Sequence, residues 1–242
     1  MNRLRITPSI VPNMFTAMNM FCGFFSIINA ASGKYTYAAW LIIIAAVFDV
    51  LDGVMARLTK SSSALGVQLD SLADLVSFGV APAFLIYKTY LVNYDALGII
   101  ISSLLMIAGG LRLARFNVQL VGFNKTFFTG LPIPSAAITI ASFIIAFYTK
   151  ETGFNPYIII NIIPLVLILS FLMVSNIKYD TLPKLTKQEL KDKPYLYFAP
   201  LVLILIIIFV PRERILFLIF VLNILFGIFR HMYYLLSKDY HV

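Results

Sequence analysis

The stretch FDVLDGVMARLTKSSSALGVQLDSLADLVSFG, residues 48–79, decides how the chain is read. It sets four aspartates, Asp49, Asp52, Asp70 and Asp74, between runs apolar enough for lipid, with Arg57 the one cation near their height. Asp49 and Asp52 are three residues apart and Asp70 and Asp74 four, so on helices each pair occupies one face. The polar break centred on Ser61 lies nine residues from Asp52 and Asp70, twelve from Asp49 and thirteen from Asp74. In an antiparallel helical hairpin all four carboxylates therefore come to a similar height, about 14–20 Å from the turn at 1.5 Å of rise per residue.

The rest of the chain explains why these acids stand out. Of its 242 residues 60% are hydrophobic and only 12% charged, and the mean hydropathy is +0.91. That balance belongs to an all-α, polytopic integral membrane protein rather than to a soluble domain. The first residues, MNRLRITPSIVPN, lack a long apolar core before a cleavage site, so the N-terminus is expected to stay in the mature protein.

Apolar runs of about 20 residues predict about eight transmembrane helices, at 14–31, 36–57, 70–90, 96–117, 130–149, 156–177, 195–211 and 214–236. The polar linker KYDTLPKLTKQELKDKP follows the sixth, and divides a core, residues 1–177, from a cytoplasmic linker and C-terminal hairpin, residues 178–242.

Lys and Arg orient the chain. With the N-terminus in the cytoplasm, fourteen of the 19 basic residues fall on that side and five, Lys34, Lys88, Lys150, Arg212 and Arg214, on the other, as the positive-inside rule requires. Both termini are then cytoplasmic. The net charge of +8 is accounted for by contact with anionic lipid headgroups, and no soluble basic and aromatic surface points to nucleic acid. The single cysteine, Cys22, excludes an internal disulfide, and the two histidines, His231 and His241, lie in the C-terminal tail.

Four clustered carboxylates in partial hydrocarbon need protonation or a cation. With no histidine or cysteine nearby, an all-oxygen site suits a hard divalent metal, Mg²⁺ or Mn²⁺. Two ions would match four carboxylates and could clamp a diphosphate. The same lack of histidine argues against Ser-His or Cys-His nucleophilic catalysis. Gly53, Ala56 and Gly66 beside the acids leave room for a ligand to approach the backbone, or alternatively serve as contacts between helices.

The pattern Asp49-x2-Asp52-Gly53-x2-Ala56-Arg57-x8-Gly66-x3-Asp70-x3-Asp74 resembles the motif of the CDP-alcohol phosphotransferase family at every position. The resemblance implies six core transmembrane helices, a homodimer and a polar cavity facing the cytoplasm. It also implies that Asp49, Asp52, Asp70 and Asp74 hold the metal, that Asp74 is the general base, and that Asp52, Gly53, Ala56, Arg57 and Gly66 border the CDP group.

Three further stretches, IVPNMFTAMNMFCGF at 10–24, GGLRLARFNV at 109–118 and FTGLPIPSAA at 128–137, resemble the bacterial phosphatidylserine synthase branch of that family. Asn13, Thr16 and Asn19 recur every three residues, a polar stripe for a cytosine or ribose edge, or else a helix cap at Asn13 with interhelical hydrogen bonds from the other two. Arg112 and Arg115, one turn apart, could hold phosphate or the carboxylate of serine, or anchor a helix end. Lys125 sits in a loop, either solvated or meeting an anionic substrate.

The resemblance thus implies transfer of a phosphatidyl group from CDP-diacylglycerol to the hydroxyl of L-serine, with release of CMP, in the cell (inner) membrane among its lipids. Two alternatives stand beside it: a sister enzyme using another acceptor such as glycerol 3-phosphate, and a transporter that uses the aspartates as a cation path.

Overall fold

The structure, a computed structural model, describes residues 10–59, 64–121, 130–177 and 211–236. Lipid offers no hydrogen bonds to the backbone, so apolar runs of this length close their own as helices. Helix α1 covers Ile10–Ala31 and α2 Tyr35–Thr59. The third span is composite: α3 (Ala64–Asp74), a π-helical turn (Leu75–Val80) and α4 (Ala81–Thr89) run on without a break. A 3₁₀ turn at Leu91–Tyr94 leads into α5 (Asp95–Val121). Then come α6 (Ile133–Phe147), a two-residue ladder of β1 (Tyr148–Thr149) with β2 (Gly153–Phe154), α7 (Pro156–Ile159), α8 (Ile162–Val174) and α9 (Arg212–Leu236).

Six of these segments are long and apolar enough to cross a membrane, and α6 is a shorter apolar helix. The expected fold class is therefore found, and seven of the eight expected spans fall on helices. The eighth, 195–211, lies outside the described residues apart from its last one. The boundaries moved for local reasons. α1 starts four residues earlier than expected, which puts Asn13 inside the helix and rules it out as the cap. Helix α6 starts later than 130 because Gly130 has φ +88° and Pro132 is extended at ψ 135°. The span expected at 156–177 is two helices, with Asn155 capping the first by accepting from the Tyr157 N–H at 3.0 Å.

Short turns hold neighbouring helices together. Gly33, at φ +76°, ends α1, and Lys34 N–H returns to Asn29 O at 2.9 Å. α1 packs on α2, α2 on α6, and α5 on α8, while the composite span touches α1, α5 and α6 from the middle. Ile133, Ile140 and Ile144 of α6, Phe78, Leu85, Ile86, Ile42 and Leu169 are fully buried at the centre. Phe21, Phe24, Trp40, Val47, Ile99 and Phe171 face outward, the reverse of a soluble surface and the expected covering for a bundle solvated by acyl chains.

Candidate active site

The end of the bundle where α2 finishes and α3 begins gathers the polar chemistry. Asp49 comes from α2, and Asp70 and Asp74 from α3, and oxygens of these three carboxylates all lie within 4.8 Å of one another. Among the described residues no histidine or cysteine joins them. Two acceptor oxygens here, Asp70 Oδ1 and Asn19 Oδ1, are buried with no donor among the described residues. Buried oxygen acceptors without donors beside a carboxylate group are what a hard divalent cation satisfies, so the residues fit the metal expected from the sequence.

Asp52 stands apart from this trio. It is buried, and Thr16 of α1 donates to its Oδ2 at 3.0 Å while the same hydroxyl reaches Pro12 O at 3.2 Å. Asn19, one turn further along α1, donates from Nδ2 to Asp74 Oδ1 at 3.4 Å. Helix α1 thus touches one carboxylate from each side of the hairpin. Asn13 is half-buried and makes no hydrogen bond to a described residue.

The glycine question has a clear answer at one position. A Cβ added to Gly53 would meet nothing within 4 Å, and the residue is exposed. Gly53 is therefore not a helix contact in this chain, and the backbone beside Asp52 is open to an approaching group. Ala56 and Gly66 are half-buried and Arg57 is exposed on the same stretch.

The two arginines of α5 part company. The Arg115 guanidinium donates to the carbonyls of Val174 at 3.0 Å, Ser175 at 3.3 Å and Met173 at 3.5 Å, and to Asn176 Oδ1 at 3.4 Å. It closes the C-terminus of α8, where carbonyls lack helical partners and the helix dipole favours a cation. Gly130 makes this possible: a Cβ there would overlap Met173 O and come to 2.8 Å from Arg115 Nη2. Arg112, one turn earlier, lies within Coulombic reach of Asp74, and its buried Nε has no acceptor among the described residues. Lys125 lies outside the described residues.

The CDP-alcohol phosphatidyltransferase family model matches residues 9–173, more than two-thirds of the chain. The chain belongs to that family. Among its relatives in the family, a CDP-diacylglycerol--serine O-phosphatidyltransferase of Helicobacter pylori is 35% identical over 93% of this chain and 92% of its own length. An archaetidylserine synthase of Methanothermobacter thermautotrophicus is 41% identical over 74% of this chain and 73% of its own. A CDP-diacylglycerol--serine O-phosphatidyltransferase of Bacillus subtilis is 34% identical, with 96% of its length matched by 75% of this chain.

Two residues beside the aspartates have almost no signature in the sequence. Ser71, next to Asp70, shares hydrogen bonds with Asn117 of α5, its hydroxyl 2.9 Å from Asn117 Nδ2 and 3.2 Å from Oδ1. Ser77, in the π turn, donates to Asn19 O at 2.9 Å. Neither repeats in a recognisable pattern. Their one sequence signal is position, within three residues of a motif aspartate.

Proposed function

We propose that the protein is a phosphatidylserine synthase: it transfers the phosphatidyl group of CDP-diacylglycerol to the hydroxyl of L-serine and releases CMP. The observation that carries this reading is the convergence of Asp49, Asp70 and Asp74 beside the open backbone of Gly53, at the end of a membrane bundle. The choice of acceptor is supported by the relatives: their names differ in the lipid, diacylglycerol or archaetidyl, and agree on serine.

In this reading Asp49, Asp70 and Asp74, joined by Asp52, hold divalent metal, Mg²⁺ or Mn²⁺, as two ions. Bound metal supplies the positive charge that offsets the charge developing on the departing CMP. The open face at Gly53, with Ala56, Arg57 and Gly66 on the same stretch, receives the CDP group. Arg112 orients the acceptor through its carboxylate. Asp74 accepts the hydroxyl proton of serine as the serine oxygen bonds to the phosphorus carried by the glycerol. The bond from that phosphorus to CMP breaks with its electron pair leaving on CMP.

The same end carries Arg57, Arg112, Arg115 and Arg230, while Lys34, Lys88, Lys150, Arg212 and Arg214 belong to the opposite end. This supports a site facing the cytoplasm of the cell membrane, where a soluble amino acid meets a lipid donor. We take the working unit to be a homodimer, as in the family. A cation path through the bundle is the weaker reading. Buried Ser26, Thr139, Ser142 and Ser170 each donate to a backbone carbonyl, so these deeper hydroxyls serve the helices rather than a chain of ion ligands.

The test is transfer of labelled serine into extracted lipid by detergent-purified protein supplied with CDP-diacylglycerol, with glycerol 3-phosphate and inositol phosphate as competing acceptors. Labelled phosphatidylserine, lost in Asp74→Asn, is the expected result. Transfer to glycerol 3-phosphate in place of serine contradicts the acceptor. Wild-type activity in Asp74→Asn removes Asp74 from the base role.

A further inference from the structure

Asp74 is the last residue of α3, and the π turn begins at the next residue. Hydrogen bonds in such a turn span five residues, as from Ala81 N–H to Val76 O here, so Ser77 meets α1 at a position that a continuous α-helix does not set. Ser77 is fully buried, and its hydroxyl donates to the backbone carbonyl of Asn19. Gly23, one turn further along α1, accommodates the same serine: a Cβ on Gly23 would overlap Ser77 Oγ and lie 2.6 Å from Ser77 Cα. Asn19 is fully buried as well, and its side-chain amide is the group that donates to Asp74.

Among the described residues the side chain of Asn19 makes one hydrogen bond, the one to Asp74, and its Oδ1 meets no protein donor. What sets its distance from Asp74 is the backbone of α1, and that backbone is held by Ser77 and Gly23. We propose that Ser77 and Gly23 are positioning residues for Asp74, a peg and a notch that fix the turn 19–23 of α1 against the turn 74–77 of the third span. The proposal rests on the reading of Asp74 as a reacting, metal-binding carboxylate. Neither residue touches substrate. Their effect passes through Asn19.

A matched control lies on the same helix. Ser26 is also fully buried and donates to a backbone carbonyl, Ala38 O at 2.8 Å, but it ties α1 to α2 away from the aspartates. The experiment compares wild type, Ser77→Ala, Gly23→Ala and Ser26→Ala as folded, purified full-length chains. It reads thermal unfolding, Mn²⁺ binding by electron paramagnetic resonance, and kcat and KM for serine in CMP release.

Ser77→Ala is expected to weaken Mn²⁺ binding or lower kcat about tenfold, as loss of an outer support of a metal ligand does, with KM for serine little changed. Ser26→Ala is expected to lose comparable stability with Mn²⁺ binding and kcat as in wild type. Gly23→Ala, if it folds, should match Ser77→Ala. Should Ser77→Ala behave as Ser26→Ala does while wild type is active, the clamp is wrong and the site reading stands. A wild type that neither binds Mn²⁺ nor releases CMP overturns the site reading, and the clamp with it.

Discussion

Gly53 is the residue at which structure and chemistry separate most cleanly. An alanine there has open space in front of it and is a better helix former by about 0.8–1 kcal/mol, so Gly53→Ala should keep or raise the unfolding temperature. If the CDP group passes over that backbone, the same methyl should lower CMP release about tenfold, a barrier change of about 1.4 kcal/mol. Thermal unfolding and activity on one preparation decide it, and unchanged activity contradicts the open-face reading. Arg112 makes the complementary case. Arg112→Ala should raise KM for serine about ten- to hundredfold, the worth of a lost charged hydrogen bond of about 1.5–3 kcal/mol, and leave stability nearly intact. At this scale the meeting of Asp49, Asp70 and Asp74 was legible in the sequence, because spacing about Ser61 fixes height and helical period fixes face. The separate placement of Asp52 was not, since it depends on Thr16, 36 residues away along the chain.

Among the elements, the clearest difference between sequence and structure concerns what Arg115 does. The sequence shows two arginines three residues apart, and nothing local tells one from the other. The structure sends Arg115 to the end of α8, past Gly130, whose own N–H donates to Ile177 O at 2.8 Å. Arg115→Ala should therefore cost about 1–2 kcal/mol of stability, as part-buried carbonyls at the end of α8 lose a charged donor, and leave KM for serine near wild type, where Arg112→Ala does the reverse. Gly130→Ala should destabilise more than a usual glycine replacement, because it combines a positive φ with overlap at Met173 O. Unfolding of the purified variants in detergent measures both. The π turn was equally hidden: Leu75–Val80 reads LVSFGV, apolar but for Ser77, and one serine in such a run carries no sign of a widened turn. The existence of the spans was legible, because each needs its own apolar length. Their interruptions were not, because neighbouring helices impose them.

Across the whole molecule the two ends of the bundle divide the work. Opposite the aspartates, Tyr35 packs edge-on to Tyr148 with ring centres 5.2 Å apart, and Tyr148, Phe154, Phe143 and Phe147 continue the layer to Phe217 of α9, where Arg214 sits 5.3 Å from the Phe147 ring centre. Phe217→Ala should loosen α9 by about 1–3 kcal/mol without changing kcat, a result that separates the C-terminal helix from the chemistry. A loss of kcat in folded Phe217→Ala would join the two ends after all. The family match ends at residue 173, before α9 begins. The most direct test of the central claim is CMP release from CDP-diacylglycerol and L-serine by the purified protein, stripped of divalent metal and then resupplied with Mn²⁺ or Mg²⁺. The account predicts no release when stripped, and serine-dependent release on resupply. Release that is undiminished without divalent metal, or that never depends on serine, would contradict it.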